Sequence, residues 1–303
     1  MRPEEAGALA SALGRRVVSS ARLAGGFSHE TSLLTLEGGG HVVARLGGPD
    51  PAVEAAVMAL GGRHAPVPEV IAVLPATEHT RPAMVLAHVA GTPLSHVLDE
   101  GGAGMAALGT EVGRVIAAIG AARLDRPGFF ADAQLAVTAM PPWSAQLPEF
   151  AEACMAKTAG ERLDKATRLS WADLCAAHAP ALTRVDRQAR LVHSDVNPKN
   201  ILVSRAGDGW RVDVVLDWEF SFSGCPYGDA ANMARFGADY PPDFLAAFLR
   251  AFGETAPDGD WLHLGRVLDM FALSDLVTRP PENPVADQAA AVIRRWVADG
   301  VPR

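Results

Sequence analysis

The stretch Leu191-Val192-His193-Ser194-Asp195-Val196-Asn197-Pro198-Lys199-Asn200-Ile201-Leu202-Val203 decides how this chain is read. Apolar residues flank a polar loop on both sides. Two short strands holding such a loop make a rigid mount for side chains. Asp195 and Asn200 stand five residues apart inside it. A second apolar run, residues 212–216, then delivers Asp217-Trp218-Glu219. Asp195, Asn200 and Asp217 are hard oxygen donors. One carboxylate can orient a hydroxyl group and take its proton. A second carboxylate and an amide can hold Mg²⁺, which prefers oxygen ligands and keeps some of its waters. Phosphoryl transfer needs those parts, with cations or backbone N–H groups to neutralise phosphate charge.

Upstream, residues 3–13 read as a helix with Glu4 and Glu5 in its first turn, where carboxylates suit the helix dipole. Residues 16–23, 31–36 and 41–46 are Val-, Leu- and Thr-rich runs separated by Gly25-Gly26 and Gly38-Gly39-Gly40, the pattern of an antiparallel meander. Asp50 and Pro51 open a helix over 50–61. Strands follow at 69–74 and 83–87, and Val89-Ala90-Gly91-Thr92-Pro93 breaks the pattern. Beyond residue 94 the periodicity turns helical, over 104–120, 161–178, 226–236, 242–253, 259–277 and 285–298. Residues 141–149 hold three prolines and read as a loop. The layout is α+β: a small antiparallel β-sheet lobe with one main helix (residues 1–90), then a larger, mainly helical lobe (91–303).

The H-x-D-x4-N loop, the strand after it and D-W-E together resemble the aminoglycoside phosphotransferase-like family, which includes choline-kinase-like enzymes and is distantly related to protein kinases. The likeness runs over about residues 20–236, in the right order. It implies a bilobal protein-kinase-like fold and a small-molecule kinase that moves the γ-phosphate of ATP, or GTP, to a hydroxyl group. By the same likeness Asp195 is the base, Asn200 and Asp217 are the Mg²⁺ ligands, and His193 steadies the catalytic loop. Gly25, Gly26 and Ser28 lie where the family covers the nucleotide phosphates. Arg45 stands where kinases place a Lys, with Glu54 as its ion-pair partner. Leu86 and His88 fall in a segment like the hinge that receives the nucleobase. Asp229, in Tyr227-Gly228-Asp229, matches a family Asp that braces the loop; a helix N-cap would look the same. The acceptor is expected against the helical lobe, with Asp195, Glu219, Asp229 and Asp275 as contacts, and Asp269, Glu282 and Trp261 as further candidates. Three features depart from the pattern. Ser194 replaces a usual Gly, the phosphate loop lacks G-x-G-x-x-G, and Arg45 grips phosphate differently from an ammonium group.

Bulk properties narrow the choice further. The 303 residues carry a formal net charge of −8 with no dense Lys/Arg run, which disfavours nucleic acid and anionic membrane as partners and suits a cationic acceptor such as an aminoglycoside or basic peptide antibiotic. Choline, homoserine or sugar hydroxyls are the metabolic alternative. The D-W-E in place of D-F-G and the missing A-P-E count against a protein kinase. Retention of Asp195, Asn200 and Asp217 counts against a silent nucleotide-binding module. Three cysteines without metal spacing fit a reducing compartment. No signal-peptide pattern or membrane-length apolar run is present, so a cytoplasmic location is expected; as to assembly, a monomer or homodimer is expected.

Overall fold

The computed structural model describes residues 1–23, 29–207 and 209–303. Helix α1 (Pro3–Leu13) leads into strands β1 (Val17–Arg22), β2 (Glu30–Leu36) and β3 (His41–Leu46), then helix α2 (Pro51–Gly61), β4 (Val70–Leu74) and β5 (Ala83–Ala87). These strands form an antiparallel sheet in the order β1-β2-β3-β5-β4. Asp50 caps α2 by accepting from Ala52 N at 2.9 Å, and Pro51 follows at the first helical position.

Strand period decides which residues face each side of the sheet. Val42, Ala44 and Leu46 of β3 join Ala83 and Val85 of β5 in a small core with Leu9 of α1. The alternate residues point the other way. Met84 and Leu86 of β5 enter the main core with Val57 and Met58 of α2, and Val43 packs against it. Arg45 lies on that second face, so a charged side chain ends up beneath α2.

The short strand β6 (Thr92–Pro93) and α3 (Leu94–Glu100) begin the second lobe. Next come α4 (Met105–Ile119), α5 (Trp143–Lys157), α6 (Lys165–His178) and a 3-10 turn at Ala179–Arg184. Strand β7 (Arg190–Val192) enters the polar loop. A 3-10 turn at Pro198–Asn200 leaves it for the hairpin β8 (Ile201–Ala206) and β9 (Gly209–Val215). Then β10 (Phe222–Gly224) pairs with β7, and α7 (Tyr227–Ala234), α8 (Pro242–Gly253), α9 (Trp261–Leu276) and α10 (Pro284–Asp299) complete the chain. Gly109 and Gly113 let α4 lie directly on α8, since a Cβ at Gly109 would sit 2.2 Å from Phe244 O.

One expectation fails here. The Pro-rich stretch 141–149 is mostly helix, because α5 begins at Trp143 and carries Pro148 inside it. An interior Pro costs a helix roughly 3 kcal/mol. Long-range contacts offset that cost. Asp186 caps the first turn by accepting from Ser144 N at 3.0 Å and from its hydroxyl, while Leu147, Ala151 and Met155 are buried. Among the described residues no helix is long and apolar enough to cross a membrane.

Candidate active site

The polar loop is built around His193. Its ring is completely buried and lies 4.6 Å from the Trp218 ring, centroid to centroid. Nδ1 accepts from Asp195 N at 3.2 Å, so the ring proton belongs on Nε2, which donates to Leu216 O at 3.0 Å. Burial holds this imidazole down to about pKa 4 and keeps it neutral. His193 therefore links the Asp195 loop to the Asp217 segment. Leu216 N makes a second link by donating to Asn200 O at 2.7 Å.

Asp195 is gripped at both carboxylate oxygens. Asn197 Nδ2 donates to Oδ1 at 3.0 Å, and Asn200 Nδ2 donates to Oδ2 at 2.8 Å and to the main-chain oxygen at 3.0 Å. Asn200 spends its amide hydrogens on Asp195, which leaves Oδ1, a hard oxygen, as a cation donor. Asn197 was not singled out by sequence reasoning. Its signal was local, since Asn before Pro opens a turn and its own Oδ1 accepts from Lys199 N.

Backbone strain marks the same place. Ser194 and Asp217 both adopt left-handed φ, 73° and 67°. Such angles cost a non-glycine residue energy and persist only where the surroundings enforce them. This explains why a Gly is the easier residue at position 194. Asp229 accepts from Ser194 N at 2.8 Å and from His193 N at 2.9 Å, while Asn232 Nδ2 donates to Ser194 O at 3.1 Å. Asp229 is fully buried, and burial pushes its carboxyl up to about 7 against the pull of those two N–H groups.

This overturns Asp229 as an acceptor contact. A side chain with no exposed surface cannot touch a ligand, and both its oxygens are committed to loop backbone. It is also not the helix N-cap, because Pro226 occupies that position. Asp269 is corrected likewise: it forms a buried ion pair with Arg235, with Arg235 Nε 2.9 Å from Oδ2. Trp261 packs on Phe252, 5.1 Å between ring centres, as helix-to-helix filling. Asp275 and Glu282 are exposed, Asp275 on α9 and Glu282 in the turn before α10.

Across the cleft, Arg45 joins the lobes. Its guanidinium pairs with Glu54 on α2 and donates from Nη2 to Asp217 Oδ1 at 2.7 Å. Burial raises the Glu54 carboxyl, opposed by the neighbouring Arg45 charge. Nδ1 of His29 lies 3.0 Å from Arg45 Nη2 and 3.3 Å from Glu219 Oε2. Burial, then the Arg45 charge, lowers His29 to about 4, so the ring is neutral, accepts from Arg45, and makes no ion pair with Glu219. Glu219 therefore turns toward the first lobe and lines a cleft with Glu54, Trp218 and Phe220. Leu86 sits inside the sheet between Val43 and Val70, and His88 is the exposed residue just past it. Gly25, Gly26 and Ser28 lie outside the described residues.

A bilobal fold with this loop and this cross-lobe ion pair defines the kinase-like phosphotransferases. The model of the phosphotransferase enzyme family matches residues 20–264, and the chain belongs to that family. It is an ATP-dependent phosphotransferase. Solved structures share its fold. Aminoglycoside phosphotransferase APH(4)-Ia, in a ternary complex with ADP and hygromycin B, superposes with a TM-score of 0.72 at 18% identity, over 98% of this chain and 99% of that one. A putative fructosamine-3-kinase from Thermobifida fusca gives 0.64 at 17% identity, covering 96% and 98%. Macrolide 2'-phosphotransferase MphH from Brachybacterium faecium gives 0.57 at 20%, with the same coverage. No curated protein sequence matches the chain.

Proposed function

We propose that this protein transfers the γ-phosphate of ATP, or GTP, to a hydroxyl of a small cationic molecule, such as an aminoglycoside or a basic peptide antibiotic. One observation carries the reading: Leu216 N donates to Asn200 O at 2.7 Å, which ties the loop of Asp195 and Asn200 to the segment that carries Asp217. Asp195 accepts the acceptor hydroxyl's hydrogen bond and takes its proton as the oxygen bonds to the γ-phosphorus and the bond to the β-phosphate oxygen breaks. Asn197 and Asn200 hold that carboxylate in place. Asn200 and Asp217 would hold Mg²⁺, which would supply positive charge against the phosphates. Arg45 adds a second positive charge, and Glu54 keeps it from swinging away. The lobes divide the work, with residues 1–90 on the nucleotide and 91–303 carrying the loop and the acceptor.

The net charge of −8 supports a cationic acceptor. The fold shared with a putative fructosamine-3-kinase favours a second reading, a metabolic kinase for an aminated sugar. The purified chain, given Mg-ATP or Mg-GTP and a panel of hydroxylated amines and antibiotics, should add about 80 daltons to one member. Gain by an aminated sugar with none by any antibiotic would replace the first reading with the second. Intact nucleotide binding without transfer to any acceptor would leave a binding module.

A further inference from the structure

Five aromatic side chains form a continuous wall from the segment after D-W-E to the helical lobe. Phe222 of β10 lies 5.6 Å from Phe129 and 5.2 Å from Trp143, ring centre to ring centre. Trp143 lies 5.8 Å from Phe271 of α9, which lies 5.3 Å from Phe150 of α5. A wall of this kind normally belongs in a core, yet Phe129 is 48% exposed and Phe150 38%. The three rings between them are half-buried, so the wall is anchored on the core and reaches solvent at its two ends, an arrangement suited to a binding surface.

The wall is held in register with the catalytic loop. Phe222 pairs directly with Val192, three residues before Asp195, so the two Cα atoms of Phe222 and Asp195 lie within about 16 Å. A drug-sized molecule spans that distance. Gly128 N donates to Ser223 O at 2.8 Å and Ser223 N to Gly128 O at 2.9 Å, which clamps Phe129 over Phe222. At the far end, Asp275 stands one turn beyond Phe271 on α9 and is exposed. Its charge, after burial, raises the thiol of Cys154, one turn beyond Phe150 on α5. The carboxylate therefore lies on the Phe271 side of α9, at the far end of the wall.

We infer that these rings and Asp275 form the acceptor platform, and that the acceptor is an amphiphilic cation bearing a flat apolar face, an amine and the hydroxyl that is phosphorylated. The inference rests on the phosphotransferase reading and sharpens it. Rings take an apolar face or stack beneath an ammonium group, and Asp275 supplies the opposite charge. A purely polar polycation leaves the rings unused.

Three probes separate the contributions. Propranolol carries a naphthyl ring, a hydroxyl and an ammonium; 1-(isopropylamino)-2-propanol lacks the ring; 3-(1-naphthyloxy)-1,2-propanediol lacks the amine. Titration calorimetry on the full chain with Mg-AMP-PNP should show propranolol binding at least about tenfold more tightly than either control. Phe129→Ala and Asp275→Asn, both at exposed positions, should each weaken propranolol by about threefold or more. The ring-less probe should ignore the first change and the diol the second. Equal affinity for all three probes, no propranolol binding at millimolar concentration, or wild-type affinity in both variants would overturn the inference. Mg-AMP-PNP affinity, read on the same samples, reports separately on the phosphotransferase reading.

Discussion

Two asparagines holding one carboxylate give the loop its precision. Asp195 has an amide on each oxygen, so its orientation is set before any acceptor arrives, and preorganisation of that kind lowers the barrier without reorganisation during reaction. Asp195→Ala is expected to lower kcat by roughly 100-fold to 10,000-fold while nucleotide affinity stays within a few-fold. Asn197→Ala should be milder, about tenfold in kcat, because Asn200 still holds Oδ2. Steady-state ADP release and nucleotide titration check both. Wild-type turnover in Asp195→Ala would remove it as the base. That Asp195 and Asn200 share one polar loop between two strands was legible from the sequence. The roles of Asn197, Asn232 and Arg235 were not, because each depends on a partner set by the path of the chain.

At the scale of elements, α2 meets the D-W-E segment through a missing side chain. A Cβ on Gly61 would lie 2.6 Å from two atoms of the Trp218 ring. That ring cannot move aside freely, since Trp218 is 1% exposed and donates through Nε1 to Val215 O at 2.9 Å. Gly61→Ala should cost about 1–3 kcal/mol, read as a fall in Tm of about 2–4 °C per kcal/mol. It should also raise KM for Mg-ATP, because α2 carries Glu54 and Trp218 neighbours Asp217. An unchanged Tm would show that α2 shifts at no cost. Most elements were readable from periodicity and punctuation; α5 was not. Its prolines argued for a loop, and the Asp186 cap that offsets them comes from 42 residues away.

Across the whole molecule, two buried groups in contact pull stability in opposite directions with pH. His193 titrates near 4 when folded and about 6.5 when unfolded, so the unfolded chain binds more protons between those values and stability rises with pH across them. Asp229 titrates near 7 when folded and about 3.9 when unfolded, so the folded chain binds more protons and stability falls from about pH 4 to 7. The two slopes largely cancel over pH 4–6.5. Asp229→Asn should therefore leave a stability that rises with pH in that window, relative to wild type. His193→Gln should leave one that falls. Denaturant unfolding at several pH values measures both, and parallel pH profiles for all three proteins would refute the pairing.

By itself the sequence determined the two-lobe order, the strand and helix periods, and the residues able to do chemistry, because these depend on local spacing and side-chain type. Only the tertiary structure decided which carboxylates stay accessible. Asp229 and Asp269 read from sequence like Asp195 and Asp275, yet the fold buries the first pair against backbone N–H groups and Arg235. Burial and partner choice arise from contacts between residues far apart in the chain, and no local spacing encodes them.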